Sequence, residues 1–167
     1  MESLHKIALG GGCHWCTEAV FQSLKGVDKV EQGFVASEKE SSSFSEAVIV
    51  HFDSSKISLR DIIAIHLHTH KSTSEHSMRS KYRSAIYVFS EKDELLTVKI
   101  LSDLQEDFER NLITQVLTFK AFKLSDEMFH NYYYSNKQKP FCETYINPKL
   151  KLLLNCFSEL VDSKKLV

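Results

Sequence analysis

Proline is nearly missing from this sequence: Pro140 and Pro148 are the only two in 167 residues. Glycine is scarce, at five, and tryptophan occurs once. A chain so poor in both turn formers is neither collagen-like nor a low-complexity linker. An excess of one charge is also lacking, because 21 lysines and arginines face 22 aspartates and glutamates, for a net charge of −1. That balance gives no electrostatic case for nucleic acid or a membrane surface as partner. No apolar run approaches the roughly 20 residues of a membrane span, and the opening Met1-Glu2-Ser3-Leu4-His5-Lys6 has no signal-peptide core. The ending Lys164-Lys165-Leu166-Val167 is neither a peroxisomal nor a prenylation signal. A cytoplasmic location is the expectation.

What is present suits one globular domain over residues 1–167. The hydrophobic fraction is 43% and the charged fraction 26%, enough apolar surface for an ordinary core. There are four cysteines, Cys13, Cys16, Cys142 and Cys156. In a reducing compartment they are not expected to be structural disulfides. Catalysis, metal binding or inert burial remain.

The elements follow from periodicity. Ile7-Ala8-Leu9 reads as a strand that runs into a glycine turn, and Ala19 to Leu24 continues a helix that starts at Cys13. Lys29 to Val35 and Ala47 to Phe52 read as strands, joined by the polar loop Ser37 to Ser43. Ser58 with Asp61 marks a helix start, and Leu59, Ile62, Ile63, His66, Leu67 and His70 follow its apolar stripe. Ser84 to Phe89 is a strand, and Ser90 with Asp93 starts a second long helix carrying Leu101, Leu104 and Phe108. One further strand is expected over Val116 to Phe122, a short helix around Asp126 to Tyr133, and a last helix from about Pro148 to Leu160. On that last helix, Cys156 is expected to be buried with Leu152, Leu153 and Leu160. The order through Phe89 is β-α-β-β-α-β. The fold class is therefore α+β: a two-layer sandwich with a ferredoxin-like core, an extra strand and C-terminal helices.

The chemistry concentrates in Gly10-Gly11-Gly12-Cys13-His14-Trp15-Cys16. A thiol at a helix N-terminus faces unpaired N–H groups and the positive end of the helix dipole, and both favour the nucleophilic thiolate. Glycines let a ligand come close to the backbone. Cys13-x-x-Cys16 admits three readings: a redox dithiol, half of a zinc site, or two inert thiols. Cys142 and Cys156 lie too far apart to complete a four-cysteine zinc site by a second close pair. A thioredoxin-like fold is disfavoured, since it needs a cis-proline in mid-chain, and both prolines here are C-terminal.

Gly12-Cys13-His14-Trp15-Cys16-Thr17-Glu18-Ala19-Val20-Phe21 resembles the signature of the type A peptide methionine sulfoxide reductases, where Gly-Cys-Phe-Trp is usual. Ser45 to Asp53 resembles that family's acid-bearing strand, and Lys81-Tyr82-Arg83-Ser84-Ala85-Ile86-Tyr87 its Gln-Tyr-Arg-Ser-Ala-Ile-Tyr segment. Phe129 to Tyr133, Pro140-Phe141-Cys142 and Ile146-Asn147-Pro148-Lys149-Leu150 resemble the C-terminal part of one branch. The resemblance spans nearly the whole chain.

It implies reduction of methionine-S-sulfoxide, free or in proteins, to methionine. Cys13 would attack the sulfoxide sulfur and become a sulfenic acid; Cys16 or Cys142 would then close a disulfide that thioredoxin reduces. Glu46 would supply a proton to the sulfoxide oxygen, burial disfavouring its charged form. Tyr82 would hydrogen-bond the same oxygen, and Trp15 and His14 would line the methyl pocket. The chemistry calls for no metal and no cofactor.

Four departures from the family pattern stand out. His14 replaces phenylalanine, and an imidazolium there would depress the Cys13 pKa. The stretch from Gly33 to Glu46 is short and lacks a glycine-rich loop with its tyrosine. The loop His70 to Lys81 is also short and lacks an aspartate, and Lys81 replaces glutamine. Action on another oxidised sulfur compound and a non-catalytic thiol redox sensor are the rival readings.

Overall fold

The computed structural model describes residues 4–74, 82–125 and 147–166. Six strands form one sheet: β1 Leu4–Gly10, β2 Val27–Ala36, β3 Ser45–Asp53, β4 Ala85–Val88, β5 Gln115–Thr118 and β6 Ala121–Leu124. The helices are α1 His14–Gln22, α2 Leu59–His68, α3 Glu91–Leu104 and α4 Asn147–Cys156. The strand order is β5-β4-β1-β3-β2-β6. Its inner four, β4-β1-β3-β2, are antiparallel neighbours, the order of the split βαβ arrangement. The expected α+β class and its ferredoxin-like core are present.

Alternation along each strand sorts the core. Ile7, Leu9, Val48, Val50, Ile86 and Val88 face the helices and join Val20, Phe21, Ile62, Ile63, Ile65 and Leu67 in the main cluster. Ala8, Val35, Ala47, Ile49, Ala85 and Tyr87 form a smaller cluster on the opposite face. The small alanines there leave room for Arg83, whose Nε donates to Tyr87 Oη at 3.0 Å and whose Nη2 donates to Val35 O at 3.2 Å and Ser43 O at 3.0 Å. Arg83 so pins the β2–β3 loop to β4. Burial raises the Tyr87 pKa, with Arg83 opposing.

The helix starts follow the sequence. Ser58 Oγ accepts the Asp61 N–H at 3.0 Å, and Ser90 Oγ accepts the Asp93 N–H at 3.2 Å. Such caps are each worth roughly 1 kcal/mol.

Two expectations need correction. Val116 to Phe122 is not one strand. The chain bends at Phe119-Lys120, and β5 pairs parallel with β4 while β6 pairs antiparallel with β2. Phe119 N–H donates to Val88 O and Lys120 N–H to Ala36 O, each at 3.0 Å. The two outer edges of the core sheet thus meet at one end. The extra strand is two short ones, because a β-branched run records strand propensity and not which edge it pairs with. Cys156 is exposed rather than buried. α4 turns Leu150 and Leu153 to the core, and Cys156 is three residues past Leu153, where the helix ends and a short 3₁₀ turn, Ser158–Leu160, follows. The expected helix Asp126 to Tyr133 lies outside the described residues. Among those described, no helix is long and apolar enough to cross a membrane.

Candidate active site

Strand pairing brings the site together. β1 and β3 align Gly10 with Ala47, so Glu46 sits just beyond the end of β1, where the glycine turn leads to Cys13. Glu46 shares strand parity with Val48 and Val50, the residues on the helix-covered face. Two sequence segments about thirty residues apart therefore converge on one turn.

The turn needs its glycines. A Cβ on Gly10 would lie 2.9 Å from Arg83 O and 3.1 Å from Glu46 O. Gly11 has φ +144°, and a Cβ there would lie 2.5 Å from the His70 ring. Two histidines of α2 and its C-terminal end support the turn. His66 Nε2 donates to Gly10 O at 2.7 Å. His70 Nδ1 donates to His66 O at 2.5 Å, and its Nε2 meets Ser84 Oγ at 2.8 Å.

Cys13 is the N-cap of α1, with φ −59° and ψ 131° and no side-chain cap hydrogen bond. Its carbonyl accepts the Cys16 and Thr17 N–H groups, each at 3.1 Å. Its thiol pKa is lowered. The Cys16 thiol, hydrogen-bonded to the Cys13 sulfur, is the largest cause; burial opposes it, the Trp15 N–H assists, and the Glu46 charge opposes. Cys13 is half-buried and Cys16 buried, and neither is in a disulfide.

Glu46 is 5% exposed and His14 6%. The His14 backbone N–H donates to Glu46 Oε1 at 3.2 Å. His14 Nδ1 lies 2.8 Å from Gly33 O; a carbonyl only accepts, so Nδ1 carries a hydrogen. Nε2 is 3.4 Å from Glu46 Oε1, and the edge of Phe34 packs at 5.2 Å between centroids. The ring is thus wedged between β2 and Glu46. Trp15 is half-buried against the main core, with its ring 6.3 Å from His14.

Tyr82 is half-buried. The next residue ties its segment to the same strand, since Arg83 N–H donates to Ser45 Oγ at 2.8 Å. Cys142, the other expected resolving thiol, lies outside the described residues.

One residue of the site was not singled out from sequence. Lys149, in the first turn of α4, donates from Nζ to Thr69 O, and Nζ lies 3.9 Å from where a Gly12 Cβ would stand. Burial lowers its pKa; Cys16 and then Cys13 act to raise it. The only signal in the sequence was its place in the Asn147-Pro148-Lys149 segment. Among the described residues, no three His, Cys, Asp or Glu side chains are grouped to hold a metal ion.

Fold and site together define an α+β protein arranged for thiol chemistry: an activated cysteine, a second thiol hydrogen-bonded to it, and a buried carboxyl. The family model described as peptide methionine sulfoxide reductase matches residues 5–159. A relative from Trichodesmium erythraeum, peptide methionine sulfoxide reductase MsrA, is 32% identical over 96% of this chain and 99% of its own. Among solved structures, reduced Mxr1 from Saccharomyces cerevisiae superposes with TM-score 0.75 at 22% identity, covering 86% of this chain and 92% of that one. Mxr1 in complex with Trx2 superposes with TM-score 0.63 at 21% identity, covering 77% and 86%. This chain belongs to the peptide methionine sulfoxide reductase family.

Proposed function

We propose that this protein reduces methionine-S-sulfoxide, free or in proteins, to methionine. The observation that carries the reading is the placement of Cys13 at the open N-terminus of α1, with the Cys16 thiol hydrogen-bonded to it and the buried Glu46 on the adjoining strand. The Cys13 thiolate attacks the sulfoxide sulfur. Glu46 gives a proton to the sulfoxide oxygen, which turns the sulfur into a better electrophile. The oxygen passes to Cys13 as a sulfenic acid and methionine leaves as the thioether, so one sulfur is oxidised as the other is reduced. Tyr82 hydrogen-bonds the oxygen, and Trp15 and the face of His14 wall the methyl group.

Cys16 then condenses with the sulfenic acid, and water leaves. Its thiol hydrogen-bonds the Cys13 sulfur, which supports Cys16 as a resolving cysteine; Cys142, the other candidate, lies outside the described residues. Thioredoxin reduces the disulfide. This part of the reading leans on Mxr1, which is seen in complex with Trx2. The work takes place in one domain and in the cytoplasm.

The test is an assay of the purified protein with dithiothreitol against each methionine sulfoxide epimer. Only the S epimer is consumed if the reading holds. Both epimers left intact, beside a reductase control that consumes one, would overturn it.

A further inference from the structure

Closing the disulfide needs a proton moved, and the Cys16 thiol that must give it up is buried. Cys16 is 3% exposed. To attack the Cys13 sulfenic acid it must lose its proton, and the oxygen on Cys13 must gain one to leave as water. Lys149 Nζ lies against the turn that leads into Cys13. α4 packs its Leu150 and Leu153 into the same core cluster as Cys16, and this seats Lys149 against the glycine turn. One N–H of its Nζ is fixed on Thr69 O, which aims the amine at Gly12, the residue before Cys13.

We propose that Lys149 is the proton carrier of the resolving step, taking the proton of Cys16 and giving it to the oxygen on Cys13. This rests on the reading of Cys16 as the resolving thiol. The step balances. The Cys16 proton moves to the Lys149 amine, and the Cys16 thiolate attacks Cys13 Sγ. The S–S bond forms as the S–O bond breaks. The oxygen leaves as water, with the proton from Lys149, and the amine is restored.

The charged groups around Lys149 fit that task. From α1, Cys16 and Cys13 favour its ammonium form; past the end of α2, Lys71 disfavours it. His70, in the same segment, stacks under Gly11. Burial is the largest influence and holds the amine below the ordinary lysine range. A fixed guanidinium in this place would supply charge but has no neutral form to take the Cys16 proton.

The experiment bypasses the sulfoxide. The full-length protein, without reductant, is treated with one equivalent of hydrogen peroxide, which oxidises the Cys13 thiolate to the sulfenic acid. The sulfenic acid is trapped with dimedone at timed intervals and the Cys13–Cys16 disulfide is followed by mass spectrometry. Wild type closes the disulfide with little trapped sulfenic acid. Lys149→Met and Lys149→Arg both close it at least tenfold more slowly, and the sulfenic acid accumulates. In Lys149→Met, the closing rate climbs more steeply with pH than in wild type, since hydroxide must replace the amine. Lys149→Gln, which keeps a donor to Thr69 O, behaves as Lys149→Met does and separates the proton step from packing. Wild-type closure in Lys149→Met or in Lys149→Arg overturns the proposal, and so does wild-type closure through another cysteine in Cys16→Ser. A protein that forms and closes the sulfenic acid as described but consumes no sulfoxide refutes the proposed substrate and leaves Lys149 in its role.

Discussion

Three helix starts in this molecule solve the same problem in two ways. α2 and α3 each begin after a serine whose hydroxyl accepts a backbone N–H, from Asp61 and Asp93. α1 begins after Cys13, whose side chain makes no such bond. The first two use the helix end for stability. The third leaves its N–H groups and dipole to act on a thiol, and the Trp15 and Cys16 N–H groups do lower the Cys13 pKa. The difference shows where the fold gives up local stability in favour of a reactive group.

One substitution swaps the two strategies at α1. Cys13→Ser removes the nucleophile and lowers sulfoxide reduction by at least ~10³-fold. The same serine is a better cap than cysteine, so unfolding in urea should show a gain of up to about 1 kcal/mol. Retained turnover, read as methionine released per enzyme, would break the comparison. Glu46→Gln keeps the acceptor for the His14 N–H but holds no transferable proton. It should lower kcat by roughly 10²–10⁴-fold. An unchanged kcat would take Glu46 out of the chemistry.

The converse changes are smaller. Ser58→Ala and Ser90→Ala should each cost about 1 kcal/mol in urea unfolding, with sulfoxide turnover unaltered. A loss of turnover in either would mean that the caps and the reactive helix start are not separate. Cys16→Ala removes the strongest influence that lowers the Cys13 pKa. The thiol then titrates at higher pH and is less ionised at neutrality. Slower alkylation by iodoacetamide at pH 7 is the expected sign, and an unchanged rate would assign the activation to the backbone alone.

Much of this was legible in sequence, for physical reasons. Ser58 and Ser90 announce their helices because a cap is a local, side-chain-to-backbone contact. The strand over Ala47 to Phe52 was legible as an apolar run, but which of Val48 and Ile49 faces the helices was not, since both neighbours are apolar. The glycine turn before Cys13 was legible because close approach at Gly10 and the positive φ at Gly11 tolerate little else. Contacts between distant segments were not legible. Val116 to Phe122 looks like one strand, yet its halves bond to Val88 and Ala36 on opposite edges. The contacts of the His14 ring with Gly33 and Glu46 join segments far apart in the chain. Lys149 reaches the site only because Leu150 and Leu153 dock α4 on α1. Cys156 follows the apolar stripe by eye, but the helix ends there and leaves it in solvent.

The central claim is that the Cys16 thiol and the N–H groups opening α1 together lower the Cys13 pKa. The pH dependence of Cys13 alkylation, followed by peptide mass in the wild-type protein, tests it most directly. The expected midpoint lies below the ordinary cysteine value of about 8.5. A midpoint at or above that value would contradict it.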